Sequence, residues 1–253
     1  MKLIRIIFPI GAVKQGLSLS FLTFEQIITE AGYKGLFKIL VGLILFWHLY
    51  VPVHEFLHVA GCLLGGGEVE SLTLKPQYGG SILQNLFPFV IPESEYAGRL
   101  TGFKTPNSWA YAMVDFFPYS ISLFGIPLIA FCQRKRAAFL LSLGIILAFV
   151  PFISIPGDYY EAVSLATTQV AKAIDPGLQE GVLVSDDVFR SIKQLREAGN
   201  LDWTVGMLIF FGVVLAAYLA FLTLALQVWI SNLFFRPHHG TNARARQAHT
   251  KLD

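Results

Sequence analysis

The sequence predicts an all-α polytopic membrane protein with about four transmembrane helices, a short membrane-associated β-ribbon and one small helical segment outside the bilayer. Three observations carry that reading. Hydrophobic residues make up 54% of the 253-residue chain and charged residues only 14%, where a water-soluble domain carries about a quarter charged. Mean hydropathy is +0.58. The apolar residues gather into four runs, 37–64, 108–132, 137–155 and 203–235. Each is close to or above the roughly 20 residues that a helix needs to cross the hydrocarbon core. The first and last exceed that length, so they tilt, bend or protrude.

In chain order, 1–35 reads as an N-terminal interfacial segment, 36–161 as a transmembrane core with the ribbon at 68–80, and 162–202 as an extramembrane helical segment. The C-terminal transmembrane helix, 203–235, and a basic tail, 236–253, follow. Lys2 and Arg5 precede an apolar run, as in a signal peptide, but Pro9 and Lys14 interrupt it and no A-x-A pattern follows. A retained strand or interfacial piece is expected there, and "LSLSFLTFEQII" reads as an amphipathic stretch on the membrane surface. "EVESLTL" alternates polar and apolar residues between glycines, the period of a strand in a ribbon or hairpin. "LQNLFPFVIP" is too short and proline-broken to span and reads as re-entrant or interfacial. "QRKR" joins spans two and three so tightly that they must be antiparallel neighbours. From Asp158 the chain turns polar, and Ser185 can cap a helix through "DDVFRSIKQLREA", with Gly199 just past its end. The tail is polar and basic, the composition of a disordered segment.

A formal charge of +2, with no basic stripe among aromatics, argues against nucleic acid as a partner and leaves the lipid bilayer. Placing the N-terminus in the cytoplasm puts 12 of the 19 lysines and arginines on that side, the "RKR" loop among them. Cys62 and Cys132 then lie at opposite faces, so no disulfide is expected.

The stretch "YVPVHEFLHVAGCLLGGG" sets two imidazoles and a carboxylate inside an apolar run, where unpaired ionisable groups cost several kcal/mol and usually mark function. His54 and His58 are four residues apart, so a helix presents both on one face to a single ion. Glu55 holds the position that, in H-E-x-x-H zinc sites, acts as general base on metal-bound water. The competing reading is a set of hydrogen-bonded polar residues facing a water-filled crevice. Pro52 removes the N–H that would bond the His48 carbonyl and favours a bend there. One catalytic zinc per chain needs a third protein ligand. Asp158 in "FISIPGDYYEA" is the leading candidate, because Pro156 and Gly157 break the helix at a matching depth. Glu161 and Asp115 remain alternatives. Asp115 can equally orient a ligand histidine or cap a broken helix beside Pro118. His48 turns away from the ligand face, Tyr159 and Tyr160 read as interfacial aromatics, and His238, His239 and His249 in the tail take no catalytic role.

Taken together, "HEFLH" inside a span, its glycine-rich end, the ribbon from "VESLTL" to "YGG" and the aspartate of "PGD" resemble the site-2-protease-type intramembrane zinc metalloproteases, over about residues 37–161. In that family the later motif usually reads Asp-Gly after a proline, often with an upstream asparagine; here the order is Pro-Gly-Asp and no such asparagine stands before it. No PDZ or CBS-type domain accompanies the core. The resemblance implies hydrolysis of peptide bonds in a transmembrane protein substrate, with zinc on His54, His58 and Asp158 and Glu55 as base. It implies an active site near the cytosol, whereas the lysine and arginine distribution puts His54 toward the opposite side. The expected location is a bacterial inner (plasma) membrane. The rivals are a metal transporter or sensor, a catalytically inert scaffold, and another membrane metallopeptidase. Transport requires ionisable groups at several depths, and only Asp115 and His48 are extra.

Overall fold

The computed structural model describes residues 9–174 and 187–235. Helix α1 (Ile10–Leu64) runs for 55 residues and is broken once, at Gly32, where φ is +56°, a conformation open to glycine and costly for other residues. Residues 10–31 are thus helical and form no strand. Gly16 lies against Val228, Leu224 and Ile126, and Thr23 and Ile27 are buried, so one face joins the bundle. Pro52 does not interrupt α1, whose only non-helical residue is Gly32. One missing ladder bond is tolerated where neighbouring elements pack on both sides. After Leu64 the glycines stop the helix: Gly66 takes φ +77° and the Gly67 N–H donates to the Cys62 carbonyl at 2.9 Å.

Strand β1 (Glu68–Leu74) forms where the alternation predicts it, but the rest of the 68–80 ribbon does not. Pro76–Tyr78 is a 3-10 turn, and "LQNLFPFVIP" divides between helix α2 (Gly80–Leu86) and strand β2 (Val90–Ile91). The antiparallel partner of β1 is β3 (Gly98–Lys104), with Leu72 opposite Leu100 and Leu74 opposite Gly98. β2 pairs parallel on the other side, which gives the order β2-β1-β3. "GRLTGFK" hides this strand behind two glycines, which carry no side chain for the alternation to register. Leu72, Leu74, Val90 and Leu100 bury their faces against Val51 and Val59 of α1, fixing the sheet beside the HEFLH turn.

The second span is three pieces: α3 (Ser108–Phe116), a 3-10 stretch Phe117–Phe124 that begins beside Pro118, and α4 (Gly125–Lys135). Arg136, at φ +54°, turns the chain into α5 (Ala138–Ile153), and α4 and α5 lie against each other as the short loop requires. A turn over 154–157 leads to α6 (Asp158–Ile174). Residues 158–170, polar in sequence, pack into the helical core. Tyr159, Tyr160 and Val163 fill the core against α8 (Trp203–Phe234). Tyr159 and Tyr160 are each 1% exposed and so are not interfacial. The Tyr160 ring covers Gly212, and the Tyr159 hydroxyl bonds Thr223 Oγ1 at 2.8 Å. Helix α7 (Val188–Glu197) is capped by Asp187, whose carboxylate accepts from the Arg190 N–H at 2.7 Å; Ser185 lies outside the described residues. Gly199, at φ +71°, follows the end of α7.

Four helical stretches are long and apolar enough to cross a membrane: Ile10–Leu64, Ser108–Lys135, Ala138–Val170 and Trp203–Phe234. The two cysteines are buried and free. Small residues set the helix spacing. At Gly42 a Cβ would stand 2.5 Å from Ser142 Oγ and 2.9 Å from the Phe139 carbonyl. Gly42→Val is therefore expected to push α1 from α5 and cost about 1–3 kcal/mol. An unchanged thermal midpoint in detergent would contradict that close approach.

Candidate metal centre

Two helices meet at one point. α1 carries His54 and His58 on consecutive turns of one face, and the start of α6 carries Asp158, 104 residues beyond His54. His54 Nε2 is 3.1 Å from His58 Nε2 and 3.1 Å from Asp158 Oδ2, and His58 Nε2 is 3.6 Å from that oxygen. Both histidines are buried, at 9% and 8% exposure. Donors held about 2.0–2.2 Å from a tetrahedral ion stand roughly 3.3–3.6 Å apart. The observed triangle is close to that size, and the three groups can hold a metal ion.

The proton inventory points the same way. His58 Nδ1 lies 2.8 Å from the Val114 carbonyl oxygen, which only accepts. Nδ1 therefore carries the hydrogen and Nε2 presents a bare lone pair toward His54 and Asp158. His54 Nδ1 is held at 2.8 Å by the Tyr50 hydroxyl, one turn earlier on α1. Tyr119 donates to Asp158 Oδ2 at 2.5 Å, and its ring meets His54 edge-on. The His58 lone pair and the Asp158 carboxylate converge on His54 Nε2 in a buried site, where a proton on His54 or a metal ion among the three offsets their repulsion.

Tyr50, Tyr119 and the Val114 carbonyl escaped the sequence reading. Only Tyr50 left a signal there, its four-residue spacing from His54. Such outer partners fix ring orientation and tautomer. Tyr50→Phe is expected to weaken metal binding by about 10–100-fold, read by chelator competition. Wild-type affinity would remove Tyr50 from the site.

Asp115 and Glu161 line the same cavity, of about 180 Å³, as Glu55, His58 and Asp158. They are not among the three donors of the triangle. Glu161 accepts from the Tyr111 hydroxyl. Val114, the neighbour of Asp115, touches His58 through its backbone carbonyl. Glu55 is 8% exposed and packs against β3. A Cβ at Gly98 would sit 2.5 Å from Glu55 Cγ, so a glycine is what lets that strand pass the carboxylate. His48 is exposed on α1, its Nδ1 2.8 Å from the Ile44 carbonyl and its ring 5.3 Å from Tyr78.

Beyond the cavity, Tyr96 in the loop before β3 donates to Asp187 Oδ2 at 3.3 Å. Partial burial, and then the Asp187 carboxylate, push the Tyr96 phenol above its ordinary pKa. Comparisons with models of protein families, with curated proteins and with solved structures return no match, so the functional reading stands on this geometry.

Proposed function

We propose that the chain is a membrane-embedded zinc metallopeptidase that hydrolyses peptide bonds of transmembrane substrate proteins, a reading in line with the resemblance to site-2-protease-type enzymes. The observation that carries it is the convergence of two imidazoles and a carboxylate, with Glu55 beside them, in a chain with four span-length apolar helices. Two nitrogens and one oxygen suit zinc, and three protein ligands leave its fourth position open, as catalytic sites require. When bound, zinc supplies a Lewis acid that brings the pKa of water toward neutrality.

The chain's own residues do the rest. Tyr50 and Val114 hold the imidazoles, and Tyr119 holds the Asp158 carboxylate. Glu55 takes the proton from the attacking water and returns it to the leaving amine. A substrate helix must unwind to expose a peptide bond, and the freed segment can add to a sheet edge. β1 lies in the middle of the sheet, with β2 occupying its edge at Leu72 and Thr73. The edge beside Glu55 belongs to β3, so β3 is the strand placed to dock the unwound segment.

A transporter or sensor reading is weaker, because the buried acids Asp115 and Glu161 line the same cavity as the triangle and do not mark a path through the bundle. The deciding experiment measures metal in the purified protein and cleavage of co-expressed single-span proteins, each with the His54→Ala variant as control. One zinc per chain, lost together with cleavage in the variant, is the expected outcome. A metal-free wild-type protein would defeat the proposal.

A further inference from the structure

The metal triangle lies at one end of the bundle. α1 runs toward it from the Gly32 break, α6 begins at it, and α3 and α8 both start at that end. The other end holds the turn Arg134 to Arg136. There Arg136 pairs with Glu30 at 2.9 Å, the Arg134 guanidinium sits 4.8 Å over the Phe235 ring, and Gln15 bonds Asn232 at 3.0 Å. Lys14, Lys34 and Lys38 belong to that same end by position in the chain. Lysine and arginine in short loops stay on the cytoplasmic side, which turns the metal end outward.

The metal end also has the marks of a water boundary. Trp109 and Trp203, near the starts of α3 and α8, are 85% and 82% exposed, as anchoring aromatics at a headgroup layer are. Val114, which holds His58, is five residues beyond Trp109, or about 8 Å along a helix. The centre therefore lies just inside the boundary and well short of the bilayer midplane. Its cavity abuts, at Tyr96 and Arg99, a second cleft of about 560 Å³ lined also by Glu93, Glu95, Thr101 and Arg190. Charged walls of that kind belong in water and suit a polar, extended peptide.

We propose that the metal centre is entered from the non-cytoplasmic side through the cleft at Tyr96 and Arg99, and that it cuts the non-cytoplasmic juxtamembrane stretch of membrane proteins. This rests on the metallopeptidase reading above and reverses the cytosol-facing placement that the family resemblance implies. The depth supports it: a bond about 8 Å below the boundary is reached by the first turns of a substrate helix and the polar residues flanking them.

The test uses the full chain in cells, with Cys62 and Cys132 replaced by alanine and one cysteine added at Glu95 or at Lys135, both exposed. A membrane-impermeant maleimide applied to spheroplasts should label Glu95→Cys and spare Lys135→Cys. Green fluorescent protein fused after Asp253 to the otherwise unaltered chain should fluoresce, which answers the same question should the cysteine variants fail to fold. The reverse labelling, or a dark fusion made in normal amount, overturns the orientation. In right-side-out vesicles, external EDTA should strip the metal, at least about tenfold more slowly once a bulky maleimide occupies Glu95→Cys. Stripping at an unchanged rate overturns the cleft as the entrance. A single-span test protein tagged on both sides should release its outer tag; release of the inner tag overturns the substrate assignment. A protein of the expected orientation that holds no metal instead defeats the metallopeptidase reading and leaves the topology standing.

Discussion

Replacing Glu55 by glutamine is expected to lower cleavage by about 10²–10⁴-fold, the contribution of a positioned general base, while metal content stays at the wild-type level. The separation follows from the geometry. Glu55 lies beside the triangle and contributes none of its three donors, which come from His54, His58 and Asp158. Glutamine keeps the shape that packs against Gly98 but cannot accept and return a proton. Metal analysis and a cleavage time course on the same preparation check both halves. Wild-type turnover by the variant would eliminate Glu55 as the base and revive the water-filled crevice with no chemistry. Loss of metal together with activity would mean that Glu55 belongs to the ligand set. A transporter or sensor predicts neither pattern, because its occupancy does not depend on a base.

Much of the fold was legible because apolar length is a strong signal. The four runs match the four span-length helices in order and overlap each of them, and the "QRKR" turn joins neighbours as its shortness demands. The errors have physical causes. Residues 158–170 look polar in sequence because Asp158, Glu161, Ser164 and Thr168 punctuate the stretch, yet the structure buries Glu161, Ser164 and Thr168. Tyrosines 159 and 160 suggested an interface by residue type, but their rings fill the space left by small residues such as Gly212. Strand β3 was missed because a strand with glycine at two of seven positions shows little alternation. Those glycines mark close approaches, Gly98 to Glu55 and Gly102 to Ser71.

For the site, local spacing was informative and distant contacts were not. His54, Glu55 and His58 announce themselves within one helical turn and a half. Tyr119 and the Val114 carbonyl come from the second span, and nothing in the residues around them says that they meet α1. A backbone carbonyl leaves no mark on the sequence at all. Asp158 was an intermediate case: the Pro156-Gly157 break suggested a turn, and the structure places Asp158 Oδ2 within reach of both imidazoles.

Asp158→Asn tests that assignment most directly. Asparagine keeps an oxygen at nearly the same place, but it removes the only formal negative charge among the three donors. Neutral ligands hold a divalent ion in a buried site less well, because the ion's lost hydration is then offset by dipoles alone. The expected loss of affinity is at least the 10–100-fold that removal of an outer partner costs, with cleavage falling in parallel. Glu161→Gln and Asp115→Asn line the same cavity without joining the triangle, and both should hold metal as the wild type does. The Tyr119 hydroxyl can still donate to the asparagine oxygen, so the fold should survive and the metal-free proteins should melt alike. Chelator titration of the three variants separates the roles. Unchanged affinity in Asp158→Asn with a loss in Glu161→Gln would transfer the third ligand one turn along α6 and require the start of that helix to rotate.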